Sequence, residues 1–266
     1  MIPRQLARVS IVNYHETVWS EVFPGNRHTV QCLEPAVLAA ESALELSPEQ
    51  RKRTVWRLDG GAGSDEHLRW LIQRDYHVVA KGMSHSRAEA LSRKVSRWDA
   101  YEGVWLGEVE PPVDYNRPVR VFVKRRLKDG VFVHSYYVLT LSLPSKGLFI
   151  AKYDERGAAE VEQFRSDKSG LSLEARRKRS FLGQKGYILL TDLAHNLLAD
   201  FSFRALAGTQ FDGFGAKRIV RDLLAIPGLL VFTNDRLVRV ELLTQKQFAG
   251  DLAICLERYF SASKTE

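Results

Sequence analysis

Two short strands joined by a helix constrain the fold of this chain more than any other stretch. Thr54–Leu58 is rich in β-forming residues, the segment Ser64–Arg74 has helical spacing, and Tyr76–Lys81 has the strand-like sequence Y-H-V-V-A-K. Ser64 can cap the helix, and the two acidic residues after it complement the helix dipole. Because a helix connects them, we expect the two strands to be parallel neighbours in one sheet.

An aspartate follows the first of these strands. Asp59 precedes Gly60, Gly61 and Gly63, whose spacing does not match the glycine fingerprint of dinucleotide-binding loops. A carboxylate at the C-terminal edge of a strand, with small residues beside it, suits a hard cation and a substrate backbone that approaches closely. An aspartate in an ordinary glycine-rich turn has the same local pattern. This stretch alone therefore leaves both interpretations open.

A β-rich block interrupts the alternation of strands and helices. Val119–Leu127 and Val131–Leu143 alternate apolar and polar positions, and Lys128-Asp129-Gly130 joins them. Asp-Gly between two alternating runs is a strong signal for a β-hairpin. We therefore expect a mainly β block over about residues 99–143.

Hairpins and helices are expected on both sides of these regions. The first residues predict strands over 5–12 and 16–23, and Asn234-Asp235 predicts the turn of a hairpin near the C-terminus. His195 is expected to be a hydrogen-bonded packing residue rather than a metal ligand. Helices are expected over Val30–Leu46, Ser84–Trp98, Gln184–Phe203, Ala216–Ile226 and a last segment ending near Tyr259.

The stretch from Tyr153 to Lys168, Y-D-E-R-G-A-A-E-V-E-Q-F-R-S-D-K, can form one helix because it has no proline and a single glycine. An ordinary solvated helix with an Arg–Glu pair gives this pattern, and such pairs contribute only a few tenths of a kcal/mol. One stripe of the helix would contain Tyr153, Arg156, Glu160, Gln163 and Asp167.

The same stretch resembles the signature helix of DDE transposases from bacterial insertion sequences. In that family a Tyr, an Arg, the third catalytic carboxylate and a Lys lie along one helix. Tyr153, Arg156 and Glu160 have the family spacing. Lys168 lies one residue beyond the usual position of the lysine, and Asp167 occupies that position.

The segments after this helix extend the resemblance. In the subgroup that the chain most resembles, the helix ends in Asp-Lys, followed by Gly-Leu and a basic run. Gly170-Leu171 and Arg176–Arg179 match this pattern, and L-A-H-N-L-L at 193–198 is also similar to that subgroup. Several separated motifs thus occur in the family order, over nearly the whole chain.

The resemblance implies an α/β fold, with a ribonuclease-H-like mixed sheet and helices interrupted by a β-rich insertion. It implies four parts of the chain. These are the first part of the catalytic domain at 1–83, the mainly β insertion at 84–143, the second catalytic part with the signature helix at 144–210, and a C-terminal α/β tail at 211–266.

The resemblance also implies site residues and partners. Asp59 and Glu160 would be catalytic and would be two of three residues that ligate Mg²⁺ or Mn²⁺, in a two-ion site with the ions roughly 4 Å apart. Double-stranded DNA, as transposon ends and target, would be the partner, and a homodimer is one candidate assembly. Nucleic-acid contacts are expected from Tyr153, Arg156, Lys168, Arg176, Arg177, Lys178 and Arg179.

One part of the family pattern is missing from the sequence. The first catalytic aspartate of the family lies on the first strand of the fold, and no aspartate precedes Asp59 here. We therefore expect a C-terminal portion of a transposase that lacks strand-transfer activity by itself. Two alternatives stay open: another metal-dependent nuclease of ribonuclease-H-like fold, and a DNA-binding or regulatory fragment without catalysis.

Composition agrees with a globular chain that has a polyanionic partner. The formal net charge is +7 and the pI about 9.4, although many soluble proteins are mildly basic. Cys32 and Cys255 lie far apart in apolar contexts, so buried thiols are expected. No apolar run has membrane-span length and no signal peptide is recognisable, which predicts a cytoplasmic protein.

Overall fold

The computed structural model divides the chain into two compact units. The first consists of residues 1–9 and 21–157, and the second of residues 10–20 and 158–266. The four parts expected from the sequence stay predictions, because this division is coarser. The structure describes residues 4–24, 30–149, 153, 164–173, 180–243 and 245–262.

The described elements alternate strands and helices before the long hairpin. Residues 146–149, 153 and 164–170 are also helical. Up to residue 140 the elements are β1 (Arg4–Ile11), β2 (Glu16–Pro24), α1 (Val30–Ala43), α2 (Pro48–Arg51), β3 (Val55–Leu58), α3 (Asp65–Gln73), β4 (His77–Lys81), α4 (His85–Ser92), β5 (Asp99–Tyr101), β6 (Val104–Val109), β7 (Arg120–Lys128) and β8 (Val131–Leu139). After residue 180 they are α5 (Phe181–Phe201), a π-helical turn (Ser202–Leu206), α6 (Ala216–Arg218), a second π-helical turn (Ile219–Leu223), β9 (Gly228–Thr233), β10 (Arg236–Leu242) and α7 (Ala249–Ala262).

A six-stranded mixed sheet is the centre of the first unit. Its strands have the order β3-β4-β8-β7-β6-β5. β3 and β4 are parallel, with Leu58 opposite Ala80, as the connecting helix predicted. The other neighbours in this sheet are antiparallel. The expectation of an α/β fold with a mixed sheet is therefore confirmed, and the ribonuclease-H-like topology stays a prediction.

The strands of the expected β block belong to this same sheet. β8 pairs with β4, where Lys81 lies opposite Tyr137, and β7, β6 and β5 follow outward. The turn between β7 and β8 has φ values of 50° at Asp129 and 79° at Gly130, which are typical of a type I′ turn. The predicted hairpin is confirmed, and the block is continuous with the β3–α3–β4 unit through the β4–β8 pairing.

The sheet face that α1, α3 and α4 cover contains the larger core. Val78 and Val138 from the sheet pack there with Leu68 and Leu71 of α3 and Leu91 of α4, all less than one tenth exposed. Each such side chain contributes about 1.5–3 kcal/mol when it is fully buried. This burial holds the helix of the parallel strand pair against the sheet.

A smaller aromatic core lies on the opposite face. The ring centroid of Phe149 is 5.1 Å from those of Phe122 and Tyr137, and Tyr153 is 4.7 Å from Tyr137. The two contacts of Tyr137 are edge-to-face, an arrangement that is favourable for aromatic pairs. Further along β7 the same face carries basic side chains, which are described with the candidate site.

Helix α4 ends at Ser92, earlier than the expected end at Trp98. The chain after it packs on the sheet instead. The side chain of Val95 fills the space above Gly107, where an added Cβ would come within 2.1 Å of it. The ring of Trp98 lies over Arg125, whose Cζ is 4.1 Å from its centroid. Tertiary packing therefore overrides the helical pattern.

The second unit has its own core between α5, α7 and the turns that connect them. Cys255 is buried in this core, and Cys32 is buried in the first unit, so both thiols lie where the sequence predicted. The hairpin of β9 and β10 turns at Asn234 and Asp235, also as predicted. α5 has 21 residues, yet no helix in the described part of the chain combines the length and apolar character that a bilayer crossing requires.

A buried histidine links three segments of the second unit. His195 Nδ1 is 2.7 Å from Oδ1 of Asp167, and its Nε2 is 2.7 Å from the carbonyl oxygen of His15. Both partners are acceptors, so the imidazole donates to both when each nitrogen carries a proton. Asn196 exchanges two 2.8 Å hydrogen bonds with the backbone of Thr17. His195 is thus a hydrogen-bonded packing residue, as the sequence predicted.

Replacing His195 with leucine should destabilise the second unit by about 2 kcal/mol or more. Asp167 has no exposed surface, and a buried hydrogen-bonding group that loses its partner typically costs about 1–3 kcal/mol, more when it is charged. Urea unfolding followed by circular dichroism measures the change. His85→Leu is the control, because His85 pairs with Glu89 at the surface and should contribute less than about 1 kcal/mol. Equal effects of the two substitutions would contradict the role given to His195.

Candidate functional site

Asp59 stands where β3 ends, at the C-terminal edge of the parallel strand pair. Its side chain is exposed, and Oδ1 accepts the Gly61 N–H at 2.9 Å. Its carbonyl oxygen accepts the Ala62 N–H at 3.2 Å, which closes a tight turn. Within the described residues, Oδ2 has no hydrogen-bond partner. An open carboxylate oxygen at this edge is a ligand that suits Mg²⁺ or another hard cation.

Gly63 allows the loop after Asp59 to lie directly against the end of β4, and Gly82 allows the chain after β4 to lie against β8. A Cβ on Gly63 would come within 1.9 Å of the carbonyl oxygen of Lys81. A Cβ on Gly82 would come within 1.9 Å of Cζ of Tyr136. Both distances are far shorter than any real carbon contact, so neither position accepts a larger residue without movement. The position of Asp59 relative to β4 is therefore fixed by backbone contact.

A second aspartate near this loop is engaged in the fold. Asp65 opens α3 and accepts hydrogen bonds from Arg87 through Oδ2 and from Tyr115, at 2.9 Å, through Oδ1. Burial raises the pKa of Tyr115, and the hydrogen bond to Asp65 raises it further. The same carboxylate raises the pKa of Arg87 by hydrogen bonding. Both oxygens of Asp65 are used structurally, whereas Asp59 keeps one oxygen open to a ligand.

A basic cleft opens on the sheet face that carries the aromatic core. Lys124 and Arg126 alternate along β7, opposite Ser135 and Val133 of β8. Lys81, the last residue of β4, joins them from across β8. The volume of the cleft is about 180 Å³. Its lining consists of Lys81, Lys124, Arg126, Val133, His134, Ser135 and Tyr137.

The positive charge of this basic cleft has no internal counterpart among the described residues. None of the described residues that line it is acidic. Lys81, Lys124 and Arg126 form no ion pair within the described part of the chain. By contrast, Arg120 on the same face of β7 pairs with Glu108 at 2.8 Å. A concave surface lined by one sign of charge attracts anions.

The imidazole of His134 adds no charge to the cleft, because it lies on the other face of the sheet, with its centroid 6.5 Å from the Trp98 ring. Burial is the largest cause that lowers the pKa of its imidazole, and Arg125 and His85 lower it further. Glu89 opposes them. The positive charge of the cleft is therefore that of its two lysines and one arginine.

Tyr153, which the family resemblance implies to be near a phosphate or a DNA end, lies in the core of the first unit. Its side chain is 7% exposed, and its ring packs on Tyr137. Tyr137 also lines the basic cleft. Tyr153 therefore supports the sheet face that carries the cleft, and a direct contact with DNA stays a prediction.

Two residues at the end of the expected signature helix, Asp167 and Lys168, lie in the second unit. Asp167 is fully buried and hydrogen-bonded to His195, so it has a structural role. Lys168 is exposed at the surface of its unit, as a phosphate contact requires. The hydrogen-bond partner of Asp167 is thus His195, which follows it by 28 positions in the sequence.

The remaining predicted site residues lie outside the described residues. They are Arg156, Glu160, Arg176, Arg177, Lys178 and Arg179. The convergence of Asp59 and Glu160 on shared metal ions therefore stays a prediction. Among the described residues, no group of three or more His, Cys, Asp or Glu side chains is arranged to hold a metal ion. Asp59 fits as a single oxygen ligand of such a site.

The sequence analysis missed the basic cleft. The alternation in the β7 sequence R-V-F-V-K-R-R-L-K already places Lys124 and Arg126 on one face. Lys81 could not be added from the sequence, because its place beside them depends on the long-range pairing of β4 with β8.

Comparison with known proteins assigns no family to the chain. No protein-family model matches it, and no curated protein is significantly similar to it. Function is therefore inferred from the geometry above and from the motifs of the sequence.

Gly63→Ala should destabilise the first unit by about 1–3 kcal/mol, because the new Cβ would overlap the carbonyl oxygen of Lys81 and force the loop away from β4. Gly60→Ala is the matched control. Its added Cβ would meet its nearest atoms at 3.7 Å, an ordinary contact, and the expected change is within about 0.5 kcal/mol. Urea unfolding of both variants measures the difference. Equal tolerance at the two positions would contradict the proposed backbone contact.

Proposed function

We propose that the protein acts on DNA as a DDE-type transposase or a catalytic portion of one, with Asp59 and Glu160 as metal-binding carboxylates. The observation that carries the proposal is the position of Asp59. It is an exposed carboxylate at the end of β3, held by backbone contact against β4. The motif around Tyr153, Arg156 and Glu160 supplies the family to which such a carboxylate would belong.

The arrangement of the sheet supports a ribonuclease-H-like fold for this portion. A parallel pair, β3 and β4, is joined to an antiparallel meander of β8, β7 and β6. Ligands of such mixed α/β sheets bind beyond the C-terminal ends of the parallel strands. Asp59 and Lys81 both stand at those ends.

Each residue of the proposed site has a role that its chemistry supports. Asp59 and Glu160 would hold the ions through carboxylate oxygens. Bound Mg²⁺ would supply the activation of a water or 3′-hydroxyl and stabilise charge on the scissile phosphate. Arg156 and Lys168 would hold phosphate oxygens, and the basic run 176–179 would add contacts that do not depend on DNA sequence.

DNA binding without cleavage is the second candidate function. The basic cleft favours it, because its described lining includes three cations and a cationic groove needs no metal to bind a polyanion. A regulatory chain that occupies DNA would require only this surface.

Asp59→Asn and Glu160→Gln should each weaken Mn²⁺ binding by about tenfold or more, because each removes a charged oxygen ligand. Titration of free Mn²⁺ by electron paramagnetic resonance measures the affinity. Asp129→Asn is the control, because it also removes one negative charge. Asn-Gly forms the same hairpin turn as Asp-Gly, so the fold should not change.

Nicking of supercoiled plasmid in Mg²⁺ separates the two candidate functions. Nicking that Asp59→Asn abolishes supports the transposase. DNA binding without any Mg²⁺-dependent nicking selects the second candidate. Mn²⁺ binding that neither carboxylate substitution changes would remove the proposed metal site.

A further inference from the structure

We propose that the basic cleft binds the phosphodiester backbone of DNA and leads it toward Asp59. The cationic residues of this site are Lys81, Lys124 and Arg126, and none of them belongs to the motif on which the family resemblance is based. The inference rests on the proposed action on DNA and names a surface that would position the substrate.

The spacing of the three cations fits more than one phosphate. Lys124 and Arg126 are two residues apart on one strand, which separates their Cα atoms by about 7 Å. Lys81 lies two strands away from β7, across about 10 Å of the sheet. One strand of B-DNA carries a phosphate for each ~3.4 Å along the helix axis. Cations spread over this span can therefore contact about three phosphates in succession.

One end of the cleft adjoins the loop that carries Asp59. The Cδ of Lys81 would be 3.7 Å from a Cβ on Gly60, so the lysine stem runs beside the residue that follows Asp59. The other end of the cleft lies toward Arg126 and the β7–β8 turn. A strand held along the cleft therefore passes the candidate metal ligand at its Lys81 end.

The lining favours recognition of the backbone rather than of the bases. The tyrosine of the lining, Tyr137, is only 4% exposed and packs in the aromatic core, so its ring does not offer a stacking surface. Lysine ammonium groups act as point charges toward phosphate without strict geometry. Contacts of this kind position DNA without reading its sequence.

A solvated strand face would explain isolated lysines, but it explains this cluster less well. Elsewhere on the same sheet face, Arg120 has a carboxylate partner, Glu108. At the cleft, Ser135 and Val133 stand opposite Lys124 and Arg126, where an acidic residue could neutralise them. The lining instead leaves three cations together in one concavity, which is the arrangement that attracts a polyanion.

The test is DNA binding by the triple variant Lys81→Gln/Lys124→Gln/Arg126→Gln. Fluorescence anisotropy with a labelled duplex gives the dissociation constant over about 50–200 mM NaCl. We expect the slope of log K against log salt to fall by about 2.7, which is 0.9 for each of three phosphates, and the affinity to fall by about tenfold or more. Lys124→Gln/Arg126→Gln, which leaves Lys81 in its packed position, should lower the slope by about 1.8.

The matched control is Lys52→Gln/Arg93→Gln/Lys94→Gln. It removes the same number of lysines and arginines from exposed positions of the first unit, on or just after helices α2 and α4. Its salt slope should stay within about 0.5 of that of the unchanged protein if the cleft is the site. Equal losses in the two triple variants would overturn the inference, because net charge alone would then account for binding.

Two further outcomes keep this inference distinct from the proposed function. If the unchanged protein nicks DNA and the cleft variants bind it normally, the cleft inference fails while the transposase proposal stands. If the unchanged protein binds inorganic phosphate but not the labelled duplex, the cleft is a site for the free anion and the inference fails as well.

Discussion

The contact between the glycine loop and the end of β4 is the constraint on which the candidate site depends. At Gly63 the loop meets the backbone of Lys81 with no room for a Cβ, and at Gly82 the chain lies against the ring of Tyr136. This approach sets how far Asp59 can stand from β4. It also places the stem of Lys81 beside the loop, so an acidic and a basic group share one edge of the sheet. Glycine is needed there for space rather than for an unusual backbone conformation.

A second constraint, the pairing of β4 with β8, brings locally formed elements together into the basic cleft. The β3–α3–β4 unit forms from contacts close in sequence, and the β7–β8 hairpin does as well. Only the long-range pairing of β4 with β8, which sets Lys81 opposite Tyr137, brings Lys81 to the same face as Lys124 and Arg126. The same pairing lets Phe149 and Tyr153 cover the neighbouring part of that face. Core packing and the positive cleft thus arise from a single strand alignment.

Local rules predicted the elements, and tertiary contacts decided the roles of particular residues. The Asp129-Gly130 turn, the Ser64 cap and the parallel strand pair follow from short-range chemistry and are confirmed. The sequence could not show that Tyr153 packs on Tyr137, because that contact requires the finished sheet. It placed Asp167 on the stripe of the signature helix, yet this residue is buried against a histidine 28 positions away in sequence. The pattern of one helix does not contain such a partner.

The uncompensated positive charges of the cleft cost stability in the free protein. Two unit charges about 7 Å apart repel by roughly 0.6 kcal/mol in bulk water, and more where solvent is displaced. A carboxylate opposite Lys124 would replace this repulsion with an attraction. Such a cross-strand pair would stabilise the folded protein by about 0.2–1 kcal/mol. β8 has Ser135 at that position, so the fold keeps an electrostatic cost that one substitution would remove. A bound polyanion removes the same cost and gains the attraction of all three cations. In the proposed complex, the stability that the free protein lacks at this face would become affinity for DNA.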